Sequence, residues 1–211
     1  MDGIKSALVL APHTDDGELG CGGTIARLVE SGCDVSYWAF SRCAESLPLG
    51  YWPDTLVEEM QKATDILGLE SSRVSIEDFP VRRLSEHRQD ILERMFFRQA
   101  IDYDVVFIPS SQDMHQDHAV IHAEAVRAFR NTSILGYEFP RNTLSFPTQA
   151  FVRLEARHVR QKQAAAAEYK TQEELGRLYI TNEHIEALAH VRGVQIGTHY
   201  AEAFEVIRWI L

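Results

Sequence analysis

Three carboxylates and an imidazole crowd the segment Ala11-Pro12-His13-Thr14-Asp15-Asp16-Gly17-Glu18, and His115-Gln116-Asp117-His118 repeats the combination farther along the chain. Side chains this polar are expensive to hold near a core unless a cation or a substrate compensates them. An imidazole and a carboxylate from the first segment plus an imidazole from the second make three ligands with an open fourth position. That is the ligand number of a catalytic zinc site. Nitrogen and oxygen donors without thiolate suit Zn²⁺, and other divalent first-row metals as well. Asp15 and Asp16 are adjacent, so their side chains leave the backbone in different directions. One can bind the metal while the other faces a metal-bound water, whose pKa falls to about 7, and takes its proton. The second cluster has an imidazole to spare. A protonated His115 is expected to stabilise an oxyanion and then protonate a leaving group, with Asp117 or Asp113 raising its pKa. His122, one helical turn beyond His118, is a rival ligand expected to pack behind the site.

The elements that must position these residues read as alternating strands and helices. Ala7–Leu10 is a short apolar strand before the first cluster, and Val105–Ile108, stopped by Pro109, is another before the second. Further strands are expected at 34–40, 74–79, 134–139, 150–154 and 203–211. Helices are expected at 24–29, 53–67, 88–101 (core face Ile91, Leu92, Met95 and Phe96), 119–129, 155–169 and, more weakly, 185–189. Strand–helix alternation implies βαβ units and a largely parallel sheet. Both clusters then fall at the carboxyl edge of that sheet, where open α/β folds gather their chemistry. The whole chain, residues 1–211, reads as one domain with ample length for a core.

Composition narrows the class. A formal net charge of −10 argues against binding a nucleic-acid backbone. The three cysteines imply no disulfide framework, which fits a reducing, cytoplasmic setting. No apolar run is long enough for a membrane span. The glycines offer a rival reading, a sugar-nucleotide or dinucleotide binding module using the Gly20–Gly23 turn. Ile25 stands where the third glycine of that fingerprint belongs, and the rival leaves the histidines and aspartates without a role. Tight turn geometry and close helix–strand packing explain the glycines better.

The segment Pro12-His13-Thr14-Asp15-Asp16-Gly17-Glu18-Leu19-Gly20-Cys21-Gly22-Gly23, with His115-Gln116-Asp117-His118, resembles the PIG-L or LmbE-like family of zinc-dependent N-deacetylases. The likeness extends more weakly through Lys162–Tyr169 and Tyr200–Phe204. Thr14 stands where the family usually has proline, and the loop from Ser41 to Glu45 lacks the expected glycine turn. The resemblance implies a single Rossmann-like α/β domain, LmbE-like, with a mostly parallel sheet flanked by helices. It implies hydrolysis of an N-acetyl group on an amino sugar or sugar conjugate, with a non-sugar amide as the alternative substrate. By position, His13, Asp16 and His118 would be the zinc ligands and Asp15 the general base. His115 would stabilise the oxyanion and act as acid, with Asp117 as its electrostatic partner. Several members of the family are oligomers, so a homo-oligomer is a further expectation.

Overall fold

The apolar runs become central strands because both of their faces are covered. In β1 (Ser6–Ala11), Ala7, Val9 and Ala11 enter one core while Leu8 and Leu10 enter another on the opposite side. A strand buried on both faces reads as a continuous hydrophobic run. The other strands are β2 (Asp34–Ala39), β3 (Val74–Ile76), β4 (Val105–Pro109), β5 (Ser133–Tyr137), β6 (Ala150–Leu154) and β7 (Tyr200–Arg208). They form one sheet in the order β3-β2-β1-β4-β5-β7-β6. The first five strands of that order are parallel, and β7 runs antiparallel to both β5 and β6. This computed structural model describes residues 3–99 and 101–210.

The helices are α1 (Asp16–Glu30), α2 (Thr55–Ile66), α3 (Arg88–Arg98), α4 (Gln116–Ala128), α5 (Ala156–Ala166), α6 (Lys170–Glu174) and α7 (Asn182–Gln195). Ile25, Leu56, Val159 and Ile185 bring α1, α2, α5 and α7 against one face of the sheet. Ile91 and Ile121 bring α3 and α4 against the other. The chain order reverses between β1 and β4, so the loops after these neighbouring strands open on a topological switch point, where such sheets bind ligands.

Several expectations change. The glycine-rich segment is no turn: α1 starts at Asp16 and runs through it, broken only at Cys21 (φ −144°, ψ 27°). The glycines serve close packing. A Cβ at Gly17 would lie 2.4 Å from the Tyr37 ring, and one at Gly20 would lie 2.3 Å from the Tyr137 ring. Those glycine faces are covered by side chains, so the segment is not the open cradle that a dinucleotide would need. Phe96, expected in the core, is 46% exposed, and α7 extends well beyond the expected 185–189. Position 100 of the expected third helix and Leu211 of the expected last strand lie outside the described residues.

The Gly20 contact makes a direct test. Gly20→Ala should cost roughly 1–3 kcal/mol of stability in urea unfolding, the usual range for overpacking. Pairing it with Tyr137→Leu should cost less than the sum of the two single changes, because the second change removes the clash.

Candidate metal centre and active site

His13 follows β1, and Asp16 opens α1. The backbone N–H of His13 donates to Asp16 Oδ2 at 2.8 Å, which folds the short loop onto itself. The other half of the site follows β4. His115 is the N-cap of α4 and His118 lies in its first turn. Because β1 and β4 are hydrogen-bonded neighbours, the two loops meet.

They meet on one oxygen. Asp16 Oδ2 lies 3.0 Å from His13 Nδ1 and 3.2 Å from His118 Nε2. One ligand atom each from His13, Asp16 and His118 falls within 4.8 Å of the others. The remaining nitrogen of each imidazole faces a buried carboxylate: His13 Nε2 with Asp117 Oδ2 at 2.9 Å, and His118 Nδ1 with Asp113 Oδ2 at 2.7 Å. A carboxylate behind each histidine is the usual support of a metal-binding imidazole, fixing its tautomer and ring plane. The donor set and its supports fit a divalent cation.

A second grouping, His13, His115 and Asp117, also lies within 4.8 Å. Asp117 is less free to ligate. Its Oδ2 accepts the Arg82 backbone N–H at 2.5 Å, and its Oδ1 accepts that of Leu84 at 3.2 Å. Thus the Asp117 carboxylate turns to His13, and it reaches His115 only through its own backbone N–H, which donates to His115 Nδ1 at 3.2 Å. That bond leaves Nε2 as the protonated nitrogen of a neutral His115. His122 turns away and meets the Pro109 carbonyl at 2.8 Å.

Burial and mutual charge set the protonation states. Burial works against a charged His13 and His118, but Asp16 and the carboxylates behind them raise the two rings to about 9 and about 10. Burial also works against the charge on Asp16, yet the facing His118 and His13 hold its carboxyl well below the usual range. Asp15 is pushed up to about 6 by burial and by the charge of Asp16. His115 is pushed down to about 4 by burial and by neighbouring His118 and His13. In the protein without a bound cation the ring is therefore neutral, because burial and the nearby positive charge outweigh Asp16 and Asp117.

The site opens into a cavity of about 270 Å³, whose wall includes Asp15, His115, Arg141, Gln172, Arg177 and Tyr179. Cys43 and Arg82 also line it, and both hold left-handed backbone, at φ 56° and 66°. Non-glycine residues in this region concentrate where function fixes the chain. Cys43 thus holds, without a glycine, the left-handed conformation that a glycine turn would supply. Glu18, the third carboxylate of the first cluster, had no role assigned from the sequence; its carboxyl is buried against Tyr169 Oη at 2.7 Å and against the Tyr37 hydroxyl. Both phenols reach the Thr14 carbonyl, at 3.0 and 2.7 Å, and so tether the loop that carries the ligands. The available signal was an acid next to the cluster followed by a helix, which resembles an ordinary capping pattern.

A family model described as GlcNAc-PI de-N-acetylase, PIG-L, matches residues 8–129, the part of the chain that contains both clusters. The chain belongs to this family. A relative from Escherichia coli K12, described as the uncharacterized deacetylase YaiS, is 26% identical over 79% of this chain and 91% of its own length. The conserved protein TT1542 from Thermus thermophilus superposes with a TM-score of 0.79 at 27% identity, covering 99% of this chain and 96% of that one. The N,N'-diacetylchitobiose deacetylase of Pyrococcus horikoshii gives a TM-score of 0.72 at 17% identity over 97% and 84%. GalB of Pseudomonas putida KT2440, a 4-carboxy-2-hydroxymuconate hydratase, gives 0.76 at 21% identity over 99% and 98%. One fold thus carries more than one reaction, and the chemistry must be argued from the site.

The two raised histidines make a measurable demand. A raised folded-state pKa stabilises the protein below the unfolded value near 6.5 and loses that contribution as pH climbs through the folded value. For chelator-treated protein the loss runs up toward about 9 for His13 and about 10 for His118. A metal needs these rings neutral, so its binding gains as they deprotonate. The gap in Tm between zinc-loaded and chelated protein should therefore widen from pH 6.5 to 9 in calorimetric scans. A gap that stays constant would contradict the assignment.

Proposed function

We propose that the protein is a metal-dependent N-deacetylase, cleaving the amide of an N-acetylated amino sugar or sugar conjugate to acetate and a free amine. The observation that carries this is the convergence of His13 Nδ1, Asp16 Oδ2 and His118 Nε2, each imidazole backed by its own carboxylate, beside an open cavity. The fit of residues 8–129 to a de-N-acetylase family supports the same class of reaction. The sugar is favoured by the family description and by the chitobiose deacetylase of the same fold.

His13, Asp16 and His118 would hold the cation, with zinc favoured by their two nitrogens and one oxygen. Bound there, it would act as a Lewis acid and make a water nucleophilic near neutral pH. Asp15 is the residue placed to take the proton. It lines the cavity, and burial lifts its carboxyl to about 6, so it is ionised at neutral pH yet basic enough to accept. Neutral His115 carries its proton on Nε2, because Nδ1 accepts the Asp117 N–H. It suits the role of a hydrogen-bond donor to the developing oxyanion. Before a cation binds, burial and the neighbouring imidazoles hold this ring down to about 4, which favours the neutral donor over an ionised acid. The leaving amine then takes its proton from Asp15, which has just acquired one. Asp117 orients His13 in this scheme and does not charge His115.

Two substitutions separate binding from chemistry. His13→Ala or Asp16→Ala should lower both bound zinc, measured by plasma emission, and amine release. Asp15→Asn should keep zinc at the wild-type level and slow turnover roughly 100- to 10,000-fold, the usual contribution of a general base. Amine release from free, glycoside-linked and nucleotide-linked N-acetyl sugars, with and without chelator, tests the reading itself. Wild-type turnover in Asp15→Asn, or turnover that survives metal removal, would sink it.

A further inference from the structure

Glu205 lies on β7, separated from β4 by β5, yet its carboxylate grips the loop that follows β4. Oε2 accepts the Ser110 hydroxyl at 2.8 Å and the Ser111 backbone N–H at 2.7 Å, and Oε1 accepts the Ser111 hydroxyl. β7 pairs with β5, and Glu205 stands opposite Gly136 in that ladder. To reach Ser110 the side chain must cross β5 at this point. A Cβ at Gly136 would lie 3.0 Å from Ser110 Cα and 3.1 Å from Glu205 Oε2, so the missing side chain keeps the crossing open. Burial works against the charge on Glu205, but the Ser111 and Ser110 donors hold its carboxyl below the usual range. Glu205 is therefore an ionised acceptor at neutral pH.

The gripped loop ends on a residue of the metal centre. Three successive backbone N–H groups are satisfied in turn. That of Ser111 goes to Glu205, that of Gln112 to Ser110 Oγ at 3.1 Å, and that of Asp113 to the Ser110 carbonyl at 3.2 Å. Ser110 Oγ gives its own hydrogen to Glu205, which turns its lone pairs toward Gln112. The turn closed in this way carries Asp113. Its Oδ1 accepts the His115 backbone N–H at 2.9 Å, and its Oδ2 meets His118 Nδ1 at 2.7 Å. Glu205 makes no hydrogen bond to His13, Asp16 or His118, but it holds the turn from which Asp113 reaches the His118 ring and the start of α4.

We propose that Glu205 is a positioning residue of the metal centre, acting through the Ser110–Asp113 turn to fix His118 and His115. This role rests on the metal-centre reading and holds whichever amide is cleaved. Loss of such an outer support typically weakens metal binding roughly 10- to 100-fold.

The test reads the metal, not turnover. Competition with a chromophoric chelator gives the zinc affinity, and visible absorption of the cobalt-substituted protein reports the ligand geometry. Glu205→Ala should weaken zinc binding roughly 10- to 100-fold and shift the cobalt bands. Glu205→Gln keeps one acceptor oxygen and should fall between wild type and Glu205→Ala. Ser111→Ala removes one hydroxyl from the grip and carries the test if Glu205→Ala does not fold. It should move both readouts in the same direction by a smaller amount, and so should Gly136→Ala, which crowds the crossing with Glu205 intact. Val35→Ala, in the buried part of β2, supplies a purely structural loss. It should lower Tm and leave zinc affinity and cobalt bands unchanged. Wild-type zinc affinity and cobalt bands in both Glu205 variants overturn the proposal, even where Tm falls. So does a change in Val35→Ala as large as that in Glu205→Ala, since general loosening would explain both. A His118→Ala protein that binds zinc as tightly as wild type overturns the metal-centre reading, and this role falls with it. The deacetylase reading fails separately, by wild-type protein that binds zinc yet releases amine from no N-acetyl sugar.

Discussion

Asp16 Oδ2 accepts the His13 backbone N–H and lies within 3.2 Å of an imidazole nitrogen from each of two loops. A buried carboxylate in that position must be matched by positive charge, whether protons or a metal. In the protein alone, His13 and His118 carry the protons, which is why both rings rise so far above an ordinary histidine. A divalent cation bound there would take the place of those protons, and Asp113 and Asp117 already hold the outer nitrogens. The two loops are thus organised around the charge balance at Asp16. Neighbouring β1 and β4 bring the two halves within reach of each other, and the ionic demand of Asp16 closes the remaining distance.

That demand acts on a loop which is itself tightly held. The Thr14 carbonyl sits under two phenols, Tyr37 from β2 and Tyr169 from the turn after α5. Glu18 joins them, and burial pushes its carboxyl up to about 8, so it carries a proton near neutral pH. This gives the cluster a third hydrogen for its four contacts, so a deeply buried acid costs less than its sequence suggests. On the far side, Arg82 adopts left-handed backbone and directs its N–H at Asp117. The strain at one residue therefore supports the carboxylate that orients a candidate ligand.

The division between what the sequence reveals and what it hides follows from range. β1 and β4 were legible because residues buried on both faces leave an unbroken apolar run. The two clusters were legible because polar residues directly after such runs mark a sheet's carboxyl edge. The start of α1 was not. Glycine lowers helix propensity by about 1 kcal/mol, so Gly17 to Gly23 reads as a turn. Packing against Tyr37 and Tyr137 overrides that preference, and those partners lie far away in the chain. The charge state of His115 was hidden for a similar reason. The nearby acids are visible in the sequence, but the burial and the two imidazoles that outweigh them arise only in the fold. His158 has charged neighbours in the sequence, yet the fold buries it, and it accepts the Glu155 N–H and meets Glu30.

The break in α1 ties segments late in the chain to the first cluster. At Cys21 the helix leaves its regular course, and the N–H groups of Gly23 and Thr24 lose their place in a continuous ladder. Glu202 from β7 accepts both, at 3.1 and 2.7 Å, and so caps an N-terminus that exists in mid-helix. A buried carboxylate needs its own counter-charge, and Lys162 Nζ supplies it at 2.7 Å. A Cβ at Gly22 would lie 3.0 Å from the Lys162 side chain, so a larger residue there would crowd the pair. Lys162 and Glu202 touch neither ligand nor cavity wall near the metal end, yet they fix the second half of the helix whose first residue is Asp16. Tyr169 holds Thr14 on the other side of that residue. Segments late in the chain therefore set the position of a carboxylate near its start.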